Sequence, residues 1–242
     1  MMHELLPFKG ESVKGLYKKP SMEQFEHLDS KTIKGIDNAW DKIGIINDEG
    51  TVWVESSKLH TVLRTTKGIA KYWVSKLPKN EKIVATNGDI YVSGSSLCKY
   101  LDERVNYAGK LNTEDYLEYS YALLVATRRC SRARELRARR YEQTSEKLKR
   151  LKSIRIKAHK LTKDELTGDD LNIRTAEFSH IRSKSAYPQI AHYLDNGLIV
   201  NKSTHDLITR NNVNDEKELL FLCQQMSWST KWYKNFKKLF CK

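Results

Sequence analysis

Apolar and polar residues alternate along "TVWVE" at 51–55 and again along "DIYVS" at 89–93, and each run leads into a stretch with apolar residues at helical spacing. Alternation predicts a half-buried strand, and the wider spacing predicts an amphipathic helix. Residues 50–63 and 88–101 align without a gap at an offset of 38: Gly50/Gly88, Val54/Val92, Ser57/Ser95, Leu59/Leu97 and Leu63/Leu101 coincide, and Trp53 is matched by Tyr91. Each copy reads as a turn glycine, a short strand, a serine-rich helix cap and a helix. Two copies predict a pseudo-symmetric strand–helix region over 36–112. It reads either as a structural module with no chemistry or as a DNA-docking surface. Residues 1–35 are mixed and polar, broken by Gly10, Gly15 and Pro20, and read as an N-terminal arm with one short helix near "SMEQFEHL".

From 114 to 160 there is neither Gly nor Pro and good helix formers dominate, which predicts a long helix within a helical region 113–168. Its first third is apolar, through Leu117, Tyr121, Leu124 and Val125; the rest is cationic. Between 128 and 160 stand 14 Lys and Arg against 3 Glu, so a surplus of 11 charges out of the chain's net +13 sits in one segment. Arg128, Arg129, Arg132, Arg139, Arg140 and Lys147 recur at helical spacings and make a cationic ridge. A solvated face is one reading. Phosphate-backbone binding is favoured, because so dense a ridge repels itself in water. "TKDELTGDDLNIRTAE" then reads as an acidic hinge, with Thr162 as a cap, into the last segment, 169–242. That segment closes on Trp228, Trp232, Tyr233, Phe236, Leu239 and Phe240, one apolar stripe backed by lysines. Core packing is the default for such a helix; a membrane-surface helix and base stacking are the alternatives.

Charge narrows the partner. A net charge of +13 calls for a polyanion, nucleic acid before an anionic membrane. Cys98, Cys130, Cys223 and Cys241 are scattered with no CxxC pair, which argues against a zinc ribbon and a disulfide framework. The start "MMHELLPFKGESVKG" lacks the apolar run of a signal peptide, and no stretch approaches a membrane span. The reading is a soluble protein of a reducing compartment. The sequence leaves a homodimer open.

"EFSHIRSKSAYPQIAHYLDNGLIVNKSTHDLIT" at 177–209 has a different texture. "AEFSHI" reads as a strand ending at His180, Asn196-Gly197 as a turn, and "LIVN" as a second strand. Ser203 or Thr204 can cap a helix carrying His205 in its first turn. Arg182 and Lys184 are candidates for a phosphate or are solvated loop charges, and His192 reads as a surface residue.

Strand, loop, strand and helix with these residues resemble the HNH endonuclease superfamily, whose fold is ββα-metal. The nearest pattern is the A-A-H-I, N-G-L, H branch, met here by Phe178-Ser179-His180-Ile181, Asn196-Gly197-Leu198 and His205 over about residues 176–210. The resemblance implies that His180 is the general base and that Asn196 braces the loop whose carbonyl orients it. His205 would be a metal ligand, with Ser179 at the position where many members place a first ligand. It implies magnesium, with manganese as the alternative, and DNA cleavage of a phage or restriction type in the cytoplasm of a bacterial or phage-infected cell. Such chemistry needs an activated water and a divalent ion. The chain departs from the family at Ser179, at Thr209 in place of a further ligand, and at Asn201 and Thr204, where other members carry zinc-ribbon cysteines. The expectation is an α+β protein with a duplicated strand–helix region, a long basic helix and a C-terminal ββα module, acting as a metal-dependent DNA endonuclease. The alternative is a non-catalytic DNA-binding protein or regulator on a degenerate scaffold. A third reading, RNA binding, rests on charge alone.

Overall fold

The computed structural model covers residues 9–107 and 111–240, and Cys241 lies outside them. The chain is a mixed α+β protein with an antiparallel sheet and several helices. It divides into two compact units, one up to Arg140 and one from Tyr141 onward.

In the first unit, β1 (Gly10–Ser12) is followed by α1 (Ser30–Ile43), the hairpin β2 (Gly44–Asn47) and β3 (Val52–Glu55), and a short helix, α2 (Leu59–Val62). The pattern then returns as α3 (Lys67–Lys76), the hairpin β4 (Lys82–Val84) and β5 (Ile90–Ser93), and α4 (Gly94–Asn106). The echo runs through every register. Gly44 pairs with Val54 in the first hairpin and Lys82 with Val92 in the second, each partner displaced by 38. Gly50 and Gly88 both take positive φ, 73° and 85°, which glycine adopts without a Cβ penalty. In each turn the glycine N–H donates three residues back, to the carbonyls of Asn47 and Ala85.

β3 and β5 pair antiparallel with Val54 opposite Val92, which are themselves equivalent residues of the two copies. A pseudo-two-fold axis therefore passes through that pair, and the sheet order β1-β2-β3-β5-β4 is symmetric apart from β1. The region read as an arm is part of this unit: β1 pairs with β2, and Val13 and Phe25 are buried in its core. Asp29 caps α1 and Ser93 caps α4, each accepting a backbone N–H three residues on.

The single long helix expected from 114 to 160 is two, α5 (Leu111–Arg129) and α6 (Ser131–His159). The break has local causes at Cys130. Its sulfur accepts the Ala133 N–H, as an N-cap would, and the Arg137 guanidinium takes the Arg128 carbonyl at 2.7 Å. Leu117, Leu123 and Leu124 of α5 complete the core with Trp40, Leu59, Leu63, Leu97 and Leu101.

α6 runs on into the second unit, where β6 (Glu177–His180) and β7 (Gly197–Val200) form an antiparallel pair. α7 (Lys202–Arg210), α8 (Glu216–Gln225) and α9 (Lys231–Phe240) follow. Leu198, Val200, Ile208, Leu222, Cys223, Trp232 and Phe236 make the core of this unit; of the C-terminal stripe, Trp228, Tyr233 and Phe240 are partly buried against it and Leu239 is exposed. Cys98, Cys130 and Cys223 are free thiols. Among the described residues no helix is long and apolar enough to cross a membrane.

Candidate functional site

His180 ends β6 with its ring edge-on to Phe178, the centroids 5.0 Å apart. Its Nε2 lies 2.9 Å from the Ala191 carbonyl oxygen. A carbonyl can only accept, so Nε2 carries the proton and Nδ1 keeps its lone pair. Burial holds the imidazole pKa below its ordinary value, against the Ala191 hydrogen bond and with help from the charge of Lys184. The ring is thus neutral at neutral pH, the form that can take up a proton.

Asn196 is fully buried and joins the two segments around His180. Its Oδ1 accepts the Arg182 N–H at 3.0 Å, and its Nδ2 donates to the carbonyls of Arg182 at 3.1 Å and Ile190 at 3.3 Å. The Ile190 carbonyl precedes the one that orients His180. Asn196-Gly197 is not the left-handed turn that the dipeptide suggests. Asn196 ends a single 3-10 turn and Gly197 opens β7 in extended backbone, φ −160°. Glycine is required there for space, since a Cβ would lie 2.1 Å from the Phe178 ring.

His205 sits in the first turn of α7, with Nδ1 2.7 Å from Glu177 Oε2. The carboxylate accepts, so Nδ1 carries the proton of this bond. Glu177 also faces Lys202 at 3.3 Å. A carboxylate behind a histidine in this way orients the ring for metal ligation through its other nitrogen.

Neither Ser203 nor Thr204 caps α7. The N-cap is Asn201, whose own side chain is turned away to the Asn172 N–H at 2.9 Å and the Asp170 carbonyl at 3.1 Å. The helix start is held instead by Asp164, buried in the segment read as a hinge. One oxygen accepts the Asn201 N–H at 2.7 Å and the Thr204 hydroxyl at 2.8 Å; the other accepts the N–H groups of Leu166 and Thr167 at 2.9 and 3.1 Å. Beside it Glu165 takes a bidentate bond from Arg155 at 2.8 Å and accepts the Ile199 N–H, while Arg155 also donates to the Leu194 carbonyl at 3.0 Å. Two acids in a basic chain are the only sequence signal for these braces, and spacing does not reveal them.

A metal ion fits here in a limited way. His205 offers one imidazole nitrogen on a side chain 31% exposed. Ser179 is buried, a neutral hydroxyl opposite Leu198, and the Thr209 hydroxyl donates to the His205 carbonyl at 3.0 Å. Among the described residues no three His, Cys, Asp or Glu side chains converge. The donor set suits an ion that keeps most of its water, as magnesium does.

The cationic candidates separate. Arg182 Nε and Nη2 donate to Glu216 at 2.6 and 2.7 Å, and its guanidinium lies over the rings of Tyr187 and Phe236. Lys184 is exposed and acts on His180 through its charge. In the first unit Arg132 pairs with Glu11 and Glu135, Arg139 with Glu135 at 3.0 Å and Arg140 with Glu49 at 2.8 Å. Arg128 and Arg129 are exposed with no carboxylate within ion-pair distance among the described residues, and Lys147 is exposed in the second unit. The structure brings Ser179, His180, Asn196 and His205 together in one unit, while Arg128, Arg129, Arg132, Arg139 and Arg140 belong to the other. No protein-family model, no curated protein and no solved structure matches the chain.

Proposed function

We propose that the β6–β7–α7 segment is an HNH-like ββα site that hydrolyses phosphodiester bonds, with DNA as the substrate. The observation that carries this reading is the complementary locking of two imidazoles. His180 donates through Nε2 to Ala191, and His205 donates through Nδ1 to Glu177, so each ring, when neutral, keeps one lone pair of defined identity.

His180 Nδ1 accepts a proton from a water attacking phosphorus, and the Ala191 carbonyl holds the ring in register while the positive imidazolium forms. Asn196 acts through the loop that supplies that carbonyl and is a positioning residue. His205 Nε2 would hold a divalent ion, with Glu177 behind it and the Ser179 hydroxyl nearest in sequence to the base. When bound, such an ion neutralises charge on the scissile phosphate and the departing oxygen. Lys184 and the exposed cations Arg128, Arg129 and Lys147 supply affinity for the phosphate backbone without reading sequence.

Plasmid cleavage in magnesium or manganese tests the reading. His180→Ala abolishes cleavage and leaves DNA affinity nearly unchanged, because a base contributes little to ground-state binding. His205→Ala abolishes it through metal loss, so excess manganese restores part of the activity in this variant alone. Ser179→Asp, which adds a carboxylate at the vacant ligand position, tightens metal binding. A second reading, a DNA-binding protein without catalysis, is favoured by the buried neutral Ser179 and by the engagement of Glu177 with His205 and Lys202. Tight DNA binding with no cleavage under any divalent ion would leave that reading standing.

A further inference from the structure

We propose that the first unit carries a binding pocket for a nucleoside phosphate, with Arg128 and Arg129 on the phosphate and Trp53 against the ring. The cavity has a volume of about 660 Å³ and lies where the ends of β3 and β5 meet the arginine-bearing ends of α5 and α6. Small-ligand pockets run from about 300 to 1,000 Å³, so inorganic phosphate alone would leave most of this one empty.

Its charge selects an anion. Three arginines line it, Arg128, Arg129 and Arg137, against a single carboxylate, Glu49. That carboxylate is already engaged by Arg140 at 2.8 Å. Arg137 is committed to the wall itself, donating to the carbonyls of Gly50 and Arg128 at 2.7 Å each. Arg128 and Arg129 have no carboxylate within ion-pair distance among the described residues. Two guanidinium groups from the last residues of α5 line one cavity, and each can fork onto a phosphate in the bidentate manner that lysine cannot match.

The rest of the wall is of another kind. Trp53, Tyr121 and Val125 make an aromatic and aliphatic face in the same cavity, and the Trp53 indole N–H is fixed on the Thr51 hydroxyl at 3.1 Å. An anchored indole is a platform for a planar ring. Ser95, at the start of α4, adds a hydroxyl to the rim. Anion-binding cations beside an anchored aromatic surface, in a space larger than phosphate, specify a phosphorylated ring compound. The pocket uses neither His180 nor His205, so binding here can be read apart from cleavage; Arg128 and Arg129 are shared with the proposed backbone contacts.

Calorimetric titration of the full chain tests it with four probes: AMP, adenosine, inorganic phosphate and a short single-stranded oligonucleotide. AMP binds at least about tenfold more tightly than adenosine or phosphate alone, since each lacks one half of the recognition. The double variant Arg128→Gln/Arg129→Gln loses at least about tenfold in affinity for AMP. Trp53→Leu weakens AMP and not phosphate; if that variant fails to fold, the surface arginine pair still decides. His180→Ala binds AMP as the parent does. Arginine-dependent binding of the oligonucleotide without binding of AMP would assign Arg128 and Arg129 to a strand's backbone and overturn the pocket. No binding of AMP or oligonucleotide, or binding unchanged in the folded arginine variant, overturns the proposal.

Discussion

The five-stranded sheet of the first unit rests on wholly buried apolar side chains such as Trp40, Leu59, Leu97 and Leu124, whereas the β6–β7 pair of the second is bracketed by Asp164, Glu165, Asn196 and Glu216. The second unit has an apolar core of its own, and direction is added to area around its strand pair. An apolar core accepts many side chains of similar volume. A hydrogen-bonded network of carboxylates, amides and guanidinium groups holds one geometry and loses much when a single member goes. The candidate chemistry lies in that second unit, where a carbonyl has to meet one particular imidazole nitrogen.

Charge pairs give the sharpest form of this contrast. Glu216→Ala leaves the partly buried Arg182 without its bidentate partner and is expected to cost about 1.5–3 kcal/mol of unfolding free energy in urea. Glu49→Ala, which removes the exposed partner of Arg140, is expected to cost about 1 kcal/mol or less. Equal effects would erase the distinction.

The two equivalent glycines test how far the duplication reaches. Both Gly50→Ala and Gly88→Ala place a Cβ at positive φ, a cost of about 1–2 kcal/mol. At Gly50 the new carbon would also lie 2.4 Å from the Ala133 carbonyl oxygen, while at Gly88 nothing stands within 4 Å. The Gly50 variant should therefore lose about 1–3 kcal/mol more, read from the urea midpoints.

Asp164→Asn turns one acceptor oxygen of the α7 brace into a donor facing other donors. A loss of about 1–3 kcal/mol is expected, with faster amide hydrogen exchange in the first turn of α7 and none in α4, which carries its own Ser93 cap. The smallest effect concerns pH. The His180 pKa should fall below 6.5 in an NMR titration, and cleavage should hold its plateau below that pH as well, because only the neutral ring accepts a proton. Lys184→Ala removes a neighbouring positive charge, so it raises that pKa and moves the acid limb toward neutrality.

Much of the first unit was legible because its signal is local. Turn glycines, alternation in 51–55 and 89–93 and the offset of 38 all survive as real elements with matching registers. That Val54 would face Val92 was not legible, since a repeat in sequence does not say which strands adjoin. In the second unit the strand–loop–strand–helix order could be read, but its support could not. Asp164 reaches Thr204 across 40 residues, and Arg182 reaches Glu216 across 34. Counting charges likewise overstated the ridge, because Arg132 meets Glu11 across 121 residues. Charge density is visible in a sequence, whereas neutralisation by distant partners is not.

The duplication leaves the sheet with two unlike borders. β1 covers β2 and is itself the outer strand there, while among the described residues no strand lies beyond β4. An open border is a template on which a second chain can add itself, the first step of edge-to-edge aggregation. β4 offers little to such a chain. It is three residues long, and its one lysine, Lys82, is bent back onto the carbonyls of Val74 and Ser75 at the end of α3. β1 is equally short, so brevity guards both borders and the two copies need not be equally complete for the sheet to resist a stranger.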